Sequence, residues 1–322
     1  MMGKLIKSNT KDNLKVSKNQ ERRFKKKPGD IVFALLNGAF FLAFTIICVF
    51  PFYYLLINTI SDNDLVKRGM INFIPKGLTL SNYLALGNVK DLWTSIYVTV
   101  GRTVIGTSFM VFVSALAGYL VTKKEMWNRK FLYRFLVITM YFNSGLIPWY
   151  MNMSMLGLTD SFLAYIIPGF VAPFNIILVK TYIESIPAEL EESAFIDGAG
   201  YSTIFLKIIW PLSKPILATI AIFGAVGNWN SFQDSLILNA NSPSLYTLQH
   251  RLYIYLNSGS NLASMMGTGV SATQAANAMQ SALNTKTIQY TISMVTIIPI
   301  LCLYPFMQRY YEGGIMMGAV KG

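Results

Sequence analysis

Residues 189–215 read ELEESAFIDGAGYSTIFLKIIWPLSKP, and gather the carboxylates of Glu189, Glu191, Glu192 and Asp197 in one short stretch. Clustered carboxylates can hold a metal or move protons, but both tasks need partners. The chain has one histidine, His250, and two cysteines, Cys48 and Cys302, none at metal-ligand spacing from an acidic cluster. His250 reads as a structural or surface residue, and the cysteines, both in apolar runs, as packing residues without a disulfide. No nucleophile–base pattern is visible. No G-x-x-x-x-G-K-[ST] occurs either, so the chain has no P-loop for ATP. The remaining use of the segment is as a shape. Ser185 can cap a helix with Pro187 in its first turn, and Glu189, Glu191 and Glu192 suit the helix N-terminus. Asp197-Gly198 breaks that helix, because glycine tolerates a left-handed turn. Ser202 can start a second helix, TIFLKIIW, ended by Pro211. A short helix, a tight turn and a second helix make a compact projection that can dock into a groove on a partner.

A second set of residues could contact a solute. Arg102 and Asp234 lie in otherwise apolar runs, where ionisable side chains are costly and are suspected of function. They can pair with each other, hydrogen-bond to sugar hydroxyls, or reach for the membrane interface. The run GNWNSFQD at 227–234 combines Asn228, Trp229, Asn230 and Gln233 with Asp234. An aromatic face and amides suit a sugar; the same amides can equally hold membrane helices together. Asn143 interrupts another apolar run and joins the set. Tyr141, Trp149 and Tyr150 read as interfacial aromatics.

The elements that position these residues are membrane spans. The 322 residues are 53% hydrophobic and 13% charged, with mean hydropathy +0.44; soluble domains carry about 25% charged residues. Stretches long enough to cross a bilayer lie at Ile31–Leu56 and near 94–121, 131–151, 163–182, 212–237 and 287–308, giving six spans. The formal charge of +12 does not point to nucleic acid once located. Outside Lys67, Arg68, Lys76, Lys90, Arg102, Arg251 and Lys286, the Lys and Arg residues fall in or beside 1–30, 122–130, 183–211 and 309–322. Basic loops stay in the cytoplasm, which puts both termini and the acidic segment there. Residues 1–28 form a disordered basic tail, and 29–322 one membrane domain. Its long outer segment, 238–286, ends in a stretch able to form an amphipathic helix.

The acidic segment resembles a known motif. Permease subunits of binding-protein-dependent ABC importers carry a loop written EAA, three residues, G, nine residues, I, one residue, LP. Glu192-Ser193-Ala194, Gly198, Ile208, Trp210 and Pro211 match that spacing, with Ser193 and Trp210 as mild departures. GLIPWYMNMSMLGLTDSFLAYIIP, NWNSF and YPFMQRYYEGGIMMGAVKG look like maltose-type sugar permeases, in particular the Gram-positive polysaccharide or lipoprotein-type branch. The tail departs at Glu312, where a basic residue is usual.

The resemblance implies an all-α permease fold in a bacterial cell membrane. It has six transmembrane helices and a cytoplasmic coupling loop, 185–211, between the fourth and fifth. Within that loop Glu189, Glu191, Glu192, Ser193, Ala194, Asp197, Gly198, Ala199 and Gly200 would couple to an ATPase. It further implies a second homologous permease, an extracellular solute-binding lipoprotein, and two ATPase subunits that bind the ATP and Mg. The chain itself would be non-catalytic and bind no cofactor. The solute would be an oligosaccharide or polysaccharide fragment, an acidic one if Arg102 faces the pore; a non-sugar solute is the alternative. An ion-driven transporter would instead need buried acid relays and inverted repeats with broken helices, toward which only Asp234 and some prolines point. A membrane enzyme would need catalytic carboxylates or histidine near a membrane face, which are missing.

Overall fold

The computed structural model describes residues 28–87, 91–265 and 286–305, all helix, turn or irregular chain with no strand among them. The expected basic tail through Lys27, the expected amphipathic helix past Met265 and the C-terminal segment from Phe306 lie outside the described residues. The chain divides into two compact units, one ending at Tyr54 and the other beginning at Leu55.

The described part of the first unit is most of helix α1, Pro28–Thr59. It is apolar on all sides, and Phe33, Phe40, Phe44 and Ile47 are exposed. A helix without a polar face suits hydrocarbon rather than water. Cys48 stands exposed on it, and Cys302 is also exposed, so neither thiol is packed in the core as expected; an apolar medium serves such a side chain as well as a core does.

The second unit contains α2 (Asn63–Lys67), α3 (Ser81–Leu86), α4 (Leu92–Thr122), α5 (Arg129–Tyr141) and α6 (Leu146–Met155). Two 3-10 turns, Phe162–Tyr165 and Ile167–Gly169, lead into α7 (Pro173–Ile183). Then follow α8 (Glu189–Ile196), α9 (Tyr201–Leu212), α10 (Lys214–Asn230), α11 (Gln233–Leu238), α12 (Leu248–Met265) and α13 (Lys286–Pro305).

Helix α4 is the common wall. One core cluster joins its Ala115 and Tyr119 to Val179 and Ile183 of α7, Ala194 of α8, Ile204, Phe205 and Ile209 of α9, and Leu217 and Ile220 of α10. Helices come this close only where side chains are small. A Cβ added to Gly118 would lie 3.0 Å from Val179 Cγ1 and 3.1 Å from the Lys180 backbone nitrogen. At the far end of α4, Leu92 packs with Leu86, Leu248 and Ile292, which brings α3, α12 and α13 together.

Among the described residues, three helices are long and apolar enough to cross a bilayer: α1, α4 and α13. Two bent pairs raise that to five, if each is one span: the 3-10 turns with α7, bent by 42°, and α9 with α10, bent by 78°. The expected span near 94–121 is therefore a single helix, and that near 287–308 is one as far as Pro305, its remainder lying outside the described residues. That near 131–151 is two helices, α5 and α6, separated at 142–145. There the Asn143 side chain accepts a hydrogen bond from the Gly145 N–H at 2.8 Å, and Gly145 has φ +85°. That near 212–237 is broken at Ser231 into α10 and α11, where the backbone turns extended.

Two local expectations change. Ser185 does not cap α8; its hydroxyl donates back to Tyr182 O at 2.6 Å, and α8 starts after Ala188 without a side-chain cap. Pro211 does not end α9. A π turn at Phe205–Ile209 precedes it and carries the chain past a residue whose ring and missing N–H otherwise break the ladder.

The Gly118 contact sets a test. Gly118→Val should push α4 from α7, because the Lys180 backbone cannot rotate away as a side-chain tip could. Overpacking of this kind costs about 1–3 kcal/mol, readable as a lowered thermal midpoint of the purified protein in detergent.

Candidate functional site

The break after α10 positions the central group. The chain extends through Ser231 and restarts as α11 with Asp234 in the first turn. Asp234 Oδ1 accepts from the Ser235 N–H at 2.9 Å and from the Ser231 hydroxyl at 3.0 Å. Arg102 meets it from α4 in a forked pair, Nη1 to Oδ1 at 3.2 Å and Nη2 to Oδ2 at 2.5 Å. Nη1 also donates to Ser231 O at 3.2 Å, and the guanidinium lies 4.5 Å over the Tyr165 ring. Arg102 is 2% exposed, and the Asp234 side chain 19%. The planar fork of arginine fits this two-point contact, which an ammonium could not reproduce.

Behind the pair lies a buried polar chain. The Tyr165 hydroxyl donates to Leu245 O at 2.7 Å, and its oxygen lies 2.9 Å from Ser235 Oγ. Ser235 Oγ is 2.9 Å from His250 Nδ1 and accepts from the Thr247 N–H. Thr99 Oγ1 of α4 accepts from the Leu248 N–H at 2.8 Å. Burial, with the nearby Arg251 charge, pushes His250 down to about 4 from 6.5, against a smaller opposing pull from Asp234.

In front of the pair is a cleft of about 640 Å³ between the 142–145 break and α11, lined by Phe142, Asn143, Ser144, Trp149, Gln233 and Asp234 among others. Amides, a hydroxyl, one partly neutralised carboxylate and two aromatic rings suit a ligand that carries hydroxyls on an apolar frame. Arg102 does not offer the cleft its charge, because both Nη atoms are committed.

The acidic segment forms a second feature. Helix α8 ends in a Schellman turn, with Gly198 at φ +80°, its N–H bonded to Phe195 O at 3.0 Å, and the Ala199 N–H to Ala194 O at 2.9 Å. Ala194 is buried, whereas Glu189, Glu192, Ser193, Asp197, Gly198 and Gly200 are exposed. Leu190 is 43%, Phe195 41% and Ile196 86% exposed. Acidic groups and exposed apolar side chains thus share one short helix. Beneath it Glu191 pairs with Lys123, at the rim of a hollow of about 430 Å³.

Comparison with known proteins matches residues 77–316 to the family described as binding-protein-dependent transport system inner membrane component. The chain belongs to this family. It is 34% identical over 294 residues to the polygalacturonan/rhamnogalacturonan transport system permease protein YtcP of Bacillus subtilis (strain 168), covering 90% of this chain and 99% of that one. To Protein LplC of the same organism it is 33% identical over 293 residues, covering 90% and 95%. Among solved structures it is similar to a chain of a bacterial ABC transporter involved in the import of the acidic polysaccharide alginate. There the TM-score is 0.75 at 30% identity, over 88% of this chain and 98% of that chain.

In this permease the site residues named from sequence separate into three places. Asn143, Gln233 and Asp234 meet at the cleft. Asn228 and Trp229 hold helices instead: the Asn228 amide donates to Thr107 Oγ1 at 3.2 Å, and Trp229 Nε1 to Thr296 O at 3.0 Å. Asn230 lies at the surface and accepts from the Gln249 amide at 3.2 Å. Of the expected interfacial aromatics, Tyr141 and Tyr150 are exposed, whereas Trp149 packs partly against the cluster of Met153, Leu158, Ala164 and Leu238. Sequence reasoning missed Tyr165, Ser235 and the burial of His250. The signal was there only as a pairing requirement: a buried arginine needs more than one acceptor and a lid.

Two outcomes follow. Asp234→Ala should leave Arg102 buried and unpaired, at a cost of about 3–5 kcal/mol, while Arg102→Met with Asp234→Leu should recover much of it; thermal melts in detergent check this. Because His250 is held below its unfolded value, the unfolded chain takes up the proton first as pH falls. Stability should therefore decline from about pH 6.5 to about 4 and then level off. His250→Gln should flatten that part of the melting-temperature profile.

Proposed function

We propose that this permease pairs with a second, homologous permease to form the translocation path for an oligosaccharide or polysaccharide fragment, and that the cleft at Asn143, Gln233 and Asp234 faces the passing sugar. The observation that carries the reading is the pairing of that cleft's hydroxyl-matching chemistry with relatives named for glycan transport. With Arg102 spent on Asp234, the cleft reads hydroxyls and apolar sugar faces; a uronic carboxylate would be matched by other parts of the assembly.

The loop 185–211 serves as the coupling element to one of two separate ATPase subunits, which bind ATP and Mg. Support comes from the rigid turn at Gly198 and from the exposed acidic and apolar side chains of α8. An extracellular solute-binding lipoprotein delivers the sugar. The spans number six when α5 and α6 count as one broken span beside the three straight and two bent ones. The Lys/Arg distribution puts both termini and α8 in the cytoplasm.

The test is ATP-driven uptake in vesicles holding the full transporter with its binding protein, offered galacturonate oligomers, alginate oligomers and neutral oligosaccharides. Proline fixes φ near −65°, so Gly198→Pro should abolish uptake. Uptake by this chain alone on an ion gradient, indifferent to Gly198, would overturn the reading. A non-sugar solute transported in place of all three glycans would overturn the substrate class only. Asn143→Ala and Gln233→Ala should each raise the half-saturating sugar concentration by about 2–10-fold, the worth of one hydrogen bond.

A further inference from the structure

Adjacent carboxylates of α8 are divided between inside and outside. Residues three apart share a helix face, while neighbours are turned by about 100°. Glu189 and Glu192 are exposed, whereas the Glu191 side chain is 18% exposed and is turned onto Lys123, itself 13% exposed. Lys123 is the C-terminal cap of α4, and Glu191 lies in the first turn of α8. The cation therefore sits at the negative pole of one helix and the anion at the positive pole of the other, and both dipoles favour the pair. The Lys123 ammonium also lies 4.2 Å over the Tyr119 ring, whose centroid is 5.3 Å from that of Phe205 on α9. The contact is thus directional, partly shielded and backed by the core.

We propose that the Lys123–Glu191 pair is the latch that passes movement of α8 into α4 and so to the cleft, with Lys123 as a positioning residue for transport. The inference rests on the importer reading above. Helix α4 runs unbroken and without proline from Arg102 to its cap at Lys123, roughly 31 Å at 1.5 Å per residue. At its C-terminal end it holds the acidic helix, and well inside its N-terminal end Arg102 holds Asp234 in the cleft wall. The covalent routes out of α8 are less direct: one passes the Gly198 turn and the 78° bend between α9 and α10, the other the non-helical stretch 185–188. One continuous helix clasped at these two points transmits displacement better than either.

The experiment uses the complete transporter in vesicles; uptake is read in the unlabelled protein, and the cleft distance in a parallel sample with spin labels at Ser144→Cys and Gln233→Cys in a Cys48→Ser, Cys302→Ser background. The distance across the cleft is read with and without ATP plus vanadate, and needs no solute. The otherwise unmutated protein should show a nucleotide-dependent shift. In Lys123→Met and in Glu191→Gln that shift, and sugar uptake per ATP hydrolysed, should fall about tenfold, within the range of measured couplings between sites. The double variant Lys123→Met, Glu191→Gln should lose no more than either single variant, as two groups acting through one contact require, and Lys123→Arg, which keeps the cation at the same helix pole, should retain most of both; a merely destabilising change would show neither. Full-sized shifts in the single variants, or additive losses in the double one, overturn the latch alone. No shift and no uptake in the unmutated protein would overturn the importer reading, and the latch with it.

Discussion

An arginine inside an apolar bundle must be neutralised where it stands, and much of the second unit is arranged around that requirement. Arg102 is 2% exposed, so its partner has to come to it. Asp234 can do so only because α10 stops at Asn230 and α11 starts afresh. The break that brings the carboxylate in also turns Gln233 toward the cleft. Tyr165 covers the guanidinium, and its hydroxyl begins the polar chain that reaches Ser235 and His250. One ion pair thereby fixes the end of a helix, the wall of a cleft and the seat of α12. Low dielectric makes that arrangement demanding: both Nη atoms of Arg102 are paired, and only its buried Nε is left without a hydrogen bond in the guanidinium.

The close approach of the helices is the second constraint. Gly118 against Val179 and Lys180, and Gly106 against the Asn228 amide, leave no room for a Cβ with ordinary clearance. In lipid the hydrophobic effect cannot drive helices together, so contact of this kind and shared hydrogen bonds must. That accounts for Asn228 and Trp229, whose polar atoms bind Thr107 and Thr296 across helix interfaces rather than a solute.

The sequence displayed the long features well, because hydropathy over about 20 residues is a strong signal. Helices α4 and α13 fall within a few residues of expectation. The turn at Gly198 was legible too, since glycine after a short helix has a specific backbone reason to be there. The breaks at 142–145 and 231–232 were not: a window of that length averages across four irregular residues, and Asn143 and Ser231 register only as small dips. Of the site, the possibility of an Arg102–Asp234 pair was readable from cost alone. Which amides faced a cleft and which faced a helix was not, because Asn228 and Gln233 are chemically alike and differ only in their angle about an axis that breaks between them.

The bend of 78° at Ser213 has its own geometric meaning. Ser213 is buried, and prolines stand on either side of it at 211 and 215. Neither proline has an N–H to give a straight ladder, so the corner cannot anneal into one long helix. Two helices nearly at right angles form a crank: with the corner held rigid, rotation of α9 about its own axis swings the far end of α10 through an arc, which a straight continuation of the same helix would not do.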